Sequence, residues 1–274
     1  MNLSQYLGDP GERPLERLVD DGGFTSIFRT IGCIGDSLSS GEFEATDEEG
    51  QNKTYHDDYE YSWGQYMARA AGNKVYNFSR GGMTAKEFWE SFADEIDCWH
   101  PDKLCQAYIL ALGVNDLYGI GMEWGLELGS LDDVDLENYE NNKDTFCGYL
   151  ARIIQKLKQL QPEARVFLMT MPRGQLSDQD AKVHQHADLM HELAACFTCT
   201  YVLDLRRYAP VYDEAFKRSF YLGGHMNPMG YVLTAKMVMS YIDYIVRHNM
   251  EDFAQVGFIG KGLRYYPEQH QTEG

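Results

Sequence analysis

Residues Cys33–Ala45 read CIGDSLSSGEFEA and follow a mixed run, Ile27-Phe-Arg-Thr-Ile-Gly, with apolar residues at 27, 28 and 31. The run predicts a strand headed for a core, yet it stops abruptly at Gly-Asp-Ser. Gly35 permits a tight turn, and Asp36 and Ser37 favour turns or the first positions of a helix, so the stretch reads as strand, sharp turn, helix start. That geometry holds the Ser37 hydroxyl at the carboxyl end of a strand. An isolated Asp-Ser pair more commonly does no more than cap a helix, so the rest of the chain must decide.

Four further apolar runs predict buried strands at Lys74 to Phe78, Cys105 to Leu112, Arg165 to Met171 and Thr200 to Leu205. Between them, three- and four-residue apolar spacing predicts helices over Ser62 to Ala71, Thr84 to Ala93, Tyr139 to Leu160, Asp178 to Cys196 and Pro228 to His248. Thr84 with Glu87 forms a capping signature, and Pro228 suits a first helical turn. Five strands alternating with helices predict an α/β protein with a doubly wound parallel sheet, whose reactive loops lie at the carboxyl ends of the strands. Two stretches fit the alternation poorly, Ser39 to Tyr61 and Tyr118 to Glu137, and each reads as a loop placed to roof a pocket or as a surface insertion. The expected organisation is an N-terminal extension over 1–26, one main α/β domain over 27–250 and a tail over 251–274 that lies on the surface or frays.

Among 274 residues, 42 acidic and 24 basic side chains leave a formal charge of -18, which repels nucleic acid and anionic membrane surfaces and favours a neutral or cationic substrate. The amino terminus lacks the basic region and apolar core of a signal peptide, and no window approaches a membrane span, so a soluble cytoplasmic protein is expected. Six scattered cysteines read as reduced, mostly buried thiols. Cys196-x-x-Cys199 closes a predicted helix without a second pair and reads as core packing. His184 and His191 can share a helix face, but with no third ligand fixed beside them no metal is expected.

The strand ends carry the chemistry. They are Gly35-Asp36-Ser37, then Asn77 to Thr84 (NFSRGGMT), then Leu112-Gly-Val-Asn115-Asp116, and last Gly224-His225-Met-Asn227-Pro228. These supply a nucleophile, Ser37, a general base, and donors for an oxyanion from the backbone N–H of Ser37 and Gly82 and the amide of Asn115. Asp116 reads as a residue that orients a neighbouring loop. Tyr55 to Trp63, aromatic and acidic, reads either as a stacking surface for a sugar or as an anchor for the helix that follows.

The blocks G-D-S, N-x-x-x-G-G-M-T, L-G-V-N-D and G-H-x-N-P, in this order over Ile31 to about His248, resemble the SGNH, or GDSL, hydrolase family of serine esterases and lipases. The resemblance implies a flavodoxin-like three-layer α/β/α sandwich with a central parallel five-stranded sheet. It also implies a Ser37 nucleophile, His225 as base, an oxyanion hole of Ser37, Gly82 and Asn115, and no cofactor. It points to a small-molecule ester, most simply a small acyl such as acetyl on a neutral sugar or similar alcohol. A lysophospholipase or thioesterase, or a carbohydrate-binding protein with a decayed triad, are the rival readings.

One position departs from the family. The aspartate usually found three residues before the histidine is Leu222 here, and in a triad that acid fixes the imidazole tautomer and stabilises the imidazolium. A backbone carbonyl is the expected substitute; Asp213 or Glu214 folding back to His225 is the alternative, and loss of catalysis the third.

Overall fold

In the computed structural model, which describes residues 3, 6–122, 125–176 and 180–266, the run from Ile27 divides in two. Gly23–Ile27 closes a 3₁₀ turn, and strand β1 (Thr30–Gly35) starts later than expected. The turn is fixed from outside: Phe24 N–H donates to Asp243 Oδ1 at 2.8 Å and Thr25 Oγ1 donates to Met239 O at 3.2 Å, which ties this segment to the last helix.

After β1 come α1 (Ser37–Ser40), a hairpin of β2 (Glu42–Thr46) and β3 (Lys53–Asp57), α2 (Trp63–Ala71) and β4 (Lys74–Ser79). The short α3 (Ala85–Glu87) and α4 (Ala93–Glu95) precede β5 (Ala107–Ala111), α5 (Val114–Gly119), α6 (Phe146–Leu160) and β6 (Arg165–Met169). Then follow α7 (Asp180–Cys196), β7 (Thr200–Leu203), α8 (Leu205–Tyr208), α9 (Glu214–Phe220), the two-residue strands β8 (Tyr221–Leu222) and β9 (His225–Met226), and α10 (Pro228–His248).

The main sheet has the order β4-β1-β5-β6-β7, with every neighbouring pair parallel. Renumbered within the sheet this is 2-1-3-4-5, the flavodoxin-like order. Alternate strand residues face opposite layers. Ile31, Cys33, Ile109 and Phe167 pack with α2 and α10 residues such as Met67, Tyr231 and Val238. Ile34, Tyr108, Leu110 and Val166 pack on the other side with Phe88, Ile153 and Leu193 from the helices around α3, α6 and α7. The expected three-layer α/β/α sandwich with a five-stranded parallel sheet is present.

Several boundaries differ from the sequence reading, each for a local reason. Helix α6 begins at Phe146, because Thr145 caps it by accepting from Gly148 N–H at 3.1 Å, while Tyr139–Asn141 forms a separate 3₁₀ turn. Thr84 does cap its helix, accepting from Glu87 N–H at 3.1 Å, but a π-helical turn over Phe88–Phe92 adds one residue and keeps both phenylalanines in the core. The stretch Ser39 to Tyr61 holds the β2–β3 hairpin. Residues 178 and 179 of the predicted helix Asp178 to Cys196 lie outside the described residues.

All six cysteines are free, and Cys33, Cys98, Cys105 and Cys147 are buried. Cys196 and Cys199 are only half-buried, so their spacing does not reflect core packing: α7 ends at Cys196, and Cys199, with φ of 52°, turns the chain into β7. Among the described residues no group of His, Cys, Asp and Glu could hold a metal ion, and no helix is long and apolar enough to cross a membrane.

The segments flanking 27–250 pack onto it. Val19 N–H donates to Ser240 Oγ at 2.9 Å, the buried Arg247 bonds both Glu12 oxygens and Asp243 Oδ2, and Phe253, Val256 and Ile259 join the core on the α10 side. Residues 267–274 of the tail lie outside the described residues.

Candidate active site

Gly35 is level with Ser79 of β4 and Ala111 of β5, so three adjacent strands end together. The chain passes from β1 to β4 on one side and then crosses to β5 on the other, which makes this the topological switch point, where open α/β sheets form their crevice. Ser37, Gly82 and Asn115 follow these three ends. Asp36 caps α1, its Oδ1 accepting from Leu38 N–H at 3.0 Å, and so sets the half-buried Ser37 at the first helical position, where an N–H has no intrahelical acceptor. Gly82 is exposed on a turn with φ of 74°. Asn115 Nδ2 donates to Met83 O at 3.1 Å, which brings the amide against the Gly82–Met83 turn, and Asp116 Oδ1 accepts from Ala85 N–H at 2.9 Å. Asp116 thus stitches one loop to the next, and burial pushes its carboxyl up to about 7, as it does that of Asp36.

A residue without an assigned role in the sequence reading supports this loop. His186 of α7 is fully buried, with Nε2 3.2 Å from Leu112 O and its ring 5.3 Å from that of Phe146. Burial pushes the imidazole down to about 4, so it is neutral and Nε2–H donates to the carbonyl. Gly113 lies directly against it: φ is 129°, and a Cβ there would fall 2.4 Å from His186 Nε2. The turn that starts α5 and aims Asn115 therefore rests on the histidine. Its signal in the sequence was the stripe Val183, His186, Ala187, Met190 and Leu193, a helix face on which His is the one polar member.

His225 sits in β9, paired across a tight turn with Leu222, and β9 lies beside α1. Leu222 is exposed. The expected backbone carbonyl is absent: His225 Nδ1 has no hydrogen-bond partner among the described residues. Asp213 does not reach the ring either, because its carboxylate caps α9, accepting from Phe216 N–H at 2.9 Å. Two glutamates of the hairpin face the imidazole instead. Nε2 lies 2.9 Å from Glu42 Oε1 and Nδ1 lies 3.8 Å from Glu44 Oε2.

The two carboxylates are held differently. Glu44 is bound by Lys53 Nζ at 2.6 Å and by Gly224 N–H at 2.8 Å, and the Lys53 contact holds its carboxyl below the ordinary value. Burial, with Asp57 adding to it, pushes Glu42 upward. Its side chain lies on Gly81, where a Cβ would fall 2.0 Å from Glu42 Oε2, so it spans from His225 to the loop of Gly82. Burial lowers the imidazole of His225, while Glu44 and Asp57 act to raise it. Tyr55, exposed, places its ring edge-on to the imidazole at 5.5 Å, whereas Trp63 from the same aromatic stretch is core. The alternation Glu42, Phe43, Glu44, Ala45 was the legible sign that both glutamates share one strand face.

A cavity of about 40 Å³ lies among Asp36, Leu38, Val114, Met169, Met171 and Met226, which include chain neighbours of Ser37, Asn115 and His225. It is mostly apolar and has room for a few water-sized groups at most.

The profile of the GDSL-like lipase/acylhydrolase family matches residues 33–233. No curated protein matches the chain. Among solved structures, it resembles an acetyl xylan esterase, AlAXEase, at 17% identity and a TM-score of 0.51, over 78% of this chain and 99% of that one. It also resembles a family two carbohydrate esterase from Clostridium thermocellum in complex with cellohexaose, at 14% identity and a TM-score of 0.55, over 86% and 66%. A GDSL-like lipase from Parabacteroides merdae stands at 17% and 0.54, over 78% and 95%. At such identities these neighbours bear on the fold alone, and it is the profile match over most of the length that places the protein: the chain belongs to the GDSL-like lipase/acylhydrolase family.

Proposed function

We propose that this ester hydrolase removes a small acyl group, acetyl foremost, from a neutral sugar or similar alcohol through an acyl-enzyme on Ser37. Ser37 Oγ attacks the acyl carbon while His225 takes its proton; the oxyanion accepts from the N–H groups of Ser37 and Gly82 and from the Asn115 amide, and His225 then returns the proton to the departing alcohol oxygen. Water repeats the sequence on the acyl-enzyme with the same base. The observation that supports this reading is the level ending of β4, β1 and β5, the strands that Ser37, Gly82 and Asn115 follow, with β9 beside α1.

The substrate class has separate support. The cavity beside the site matches a short acyl group better than a fatty chain, the charge of -18 disfavours polyanions, and the fold's neighbours include an acetyl xylan esterase and a family two carbohydrate esterase. Free thiols at all six cysteines support a reducing, cytoplasmic setting. The test is a series of p-nitrophenyl esters from acetate through butyrate to octanoate, with Ser37→Ala as control. Highest kcat/KM on acetate, and no turnover by Ser37→Ala at an unchanged melting temperature, are the expected results. A preference for octanoate would replace the acyl assignment by the lipase reading, and an active Ser37→Ala would remove the nucleophile.

A further inference from the structure

We propose that Glu44, carried by the β2–β3 hairpin, is the positioning acid of His225 and fills the role that Leu222 cannot; this rests on the Ser37–His225 reading above. In the hairpin Glu42 pairs with Asp57, Glu44 with Tyr55 and Thr46 with Lys53, so these side chains share one face, and His225 lies against it. The charged groups at the imidazole are therefore Glu42, Glu44, Asp57 and Lys53.

Of the carboxylates, Asp57 is engaged by Ser40 Oγ. Glu42 and Glu44 remain, and their surroundings assign them different work. An orienting acid must be anionic when the imidazolium forms. Glu44 is pinned at both oxygens by Lys53 and Gly224 N–H and is held ionised; among the described residues Glu42 has no lysine or arginine beside it, and burial pushes it toward its protonated form. His225 Nδ1 is buried, lacks a partner among the described residues and faces Glu44 Oε2 at 3.8 Å, and catalytic hydrogen bonds that are long in a free enzyme tighten when substrate binds. An Nδ1–H directed at Glu44 leaves the Nε2 lone pair to take the proton of Ser37. Nε2 meets Glu42 Oε1 in the free protein, and Ser37 takes that place once an ester is bound.

The experiment compares Glu44→Gln, Glu44→Asp, Lys53→Met and Glu42→Gln in the full chain, using p-nitrophenyl acetate turnover between about pH 5 and 9 and ¹⁵N NMR titration of His225. Glutamine still offers an acceptor to Gly224 N–H, so the fold should persist. Glu44→Gln is expected to lower kcat on the order of 10³-fold or more with KM little changed. Without the carboxylate the imidazole loses a group that raises its affinity for protons, so its titration and the acid limb of kcat/KM should both move to lower pH. Glu44→Asp should recover part of the rate, and Lys53→Met, which loosens Glu44 without altering it, should fall between. Glu42→Gln should cost far less than Glu44→Gln. A Glu44→Gln enzyme within tenfold of the parent, or one whose His225 titration is unmoved, overturns the proposal, as does a larger loss in Glu42→Gln. If the parent cleaves no ester or Ser37→Ala stays active, the Ser37 reading fails by itself, and the His225 titration still decides the role of Glu44.

Discussion

Asn115 has two amide hydrogens, and the bond to Met83 O uses one. The other is available to an oxyanion, so Asn115→Ala is expected to lower kcat by ~10²-fold or more while leaving KM within a few-fold, measured by steady-state hydrolysis of p-nitrophenyl acetate. An effect confined to KM would make Asn115 an ordinary substrate contact. At Asp213 the opposite holds: asparagine caps a helix as well as aspartate does, so Asp213→Asn should leave both kcat/KM and the melting temperature close to those of the parent. A thousandfold loss there would bring Asp213 back to the imidazole. The placement of Ser37, Gly82, Asn115 and His225 at turns of the chain was legible one by one, because local chemistry marks positions where a strand or a helix changes direction. Glu44 was not, since its bond to Gly224 N–H joins residues 180 positions apart and no local pattern reports a contact of that span.

Helix α10 shows how an element can aim a residue outside itself. Asn227 caps it by accepting from Gly230 N–H at 3.0 Å, and its own Nδ2 donates to Ser219 O at 2.9 Å, so one side chain joins α9 to α10 two residues after His225. Asn227→Ala removes both bonds. It is expected to cost about 1–2 kcal/mol in denaturant unfolding and to reduce kcat as the β8–β9 turn loosens. Asn227→Asp keeps the cap and should recover the larger part of the stability; equal losses in the two variants would assign the effect to the Ser219 bond alone. The same contrast explains what the sequence could and could not reveal about elements. Pro228–His248 was readable to the residue because its apolar period is long and its cap and first-turn proline are strong. The hairpin was read as a loop because each strand has five residues, and most of their side chains are half-buried or exposed. The π turn at Phe88–Phe92 has no sequence signature beyond two phenylalanines that must both reach the core.

At the scale of the whole molecule, buried groups and net charge set the response to pH in the same direction. Burial pushes the carboxyls of Asp36 and Asp116 up to about 7 from the ordinary 3.8; the folded state keeps their protons where the unfolded chain has lost them. Each therefore destabilises the fold increasingly as pH rises from about 4 to 7, and by a constant amount above that. His186 works in the reverse sense: its imidazole is pushed down to about 4 from 6.5, so its cost grows as pH falls through that interval. The raised carboxyls of Asp36, Asp116 and Glu42 outnumber the lowered imidazoles of His186 and His225, and self-repulsion of the -18 charge relaxes as pH approaches the pI of about 4.7. Carboxylates held low by their partners, such as Glu12 on Arg247, Asp133 on Lys143 and Glu44 on Lys53, act only below that range, where their protonation removes stability. The melting temperature is thus expected to rise as pH is lowered from 8 toward about 5 and to fall again below about 4, as followed by circular dichroism. Asp36→Asn separates the buried groups from the net charge, because asparagine keeps the cap on Leu38 N–H but cannot ionise. Its melting temperature should match the parent's near pH 4 and exceed it by a few degrees at pH 8, with the gap opening between about 4 and 7. A gap that is the same at every pH would mean that Asp36 is ionised in the fold throughout, and the decline toward pH 8 would then belong to surface repulsion, which added salt should remove.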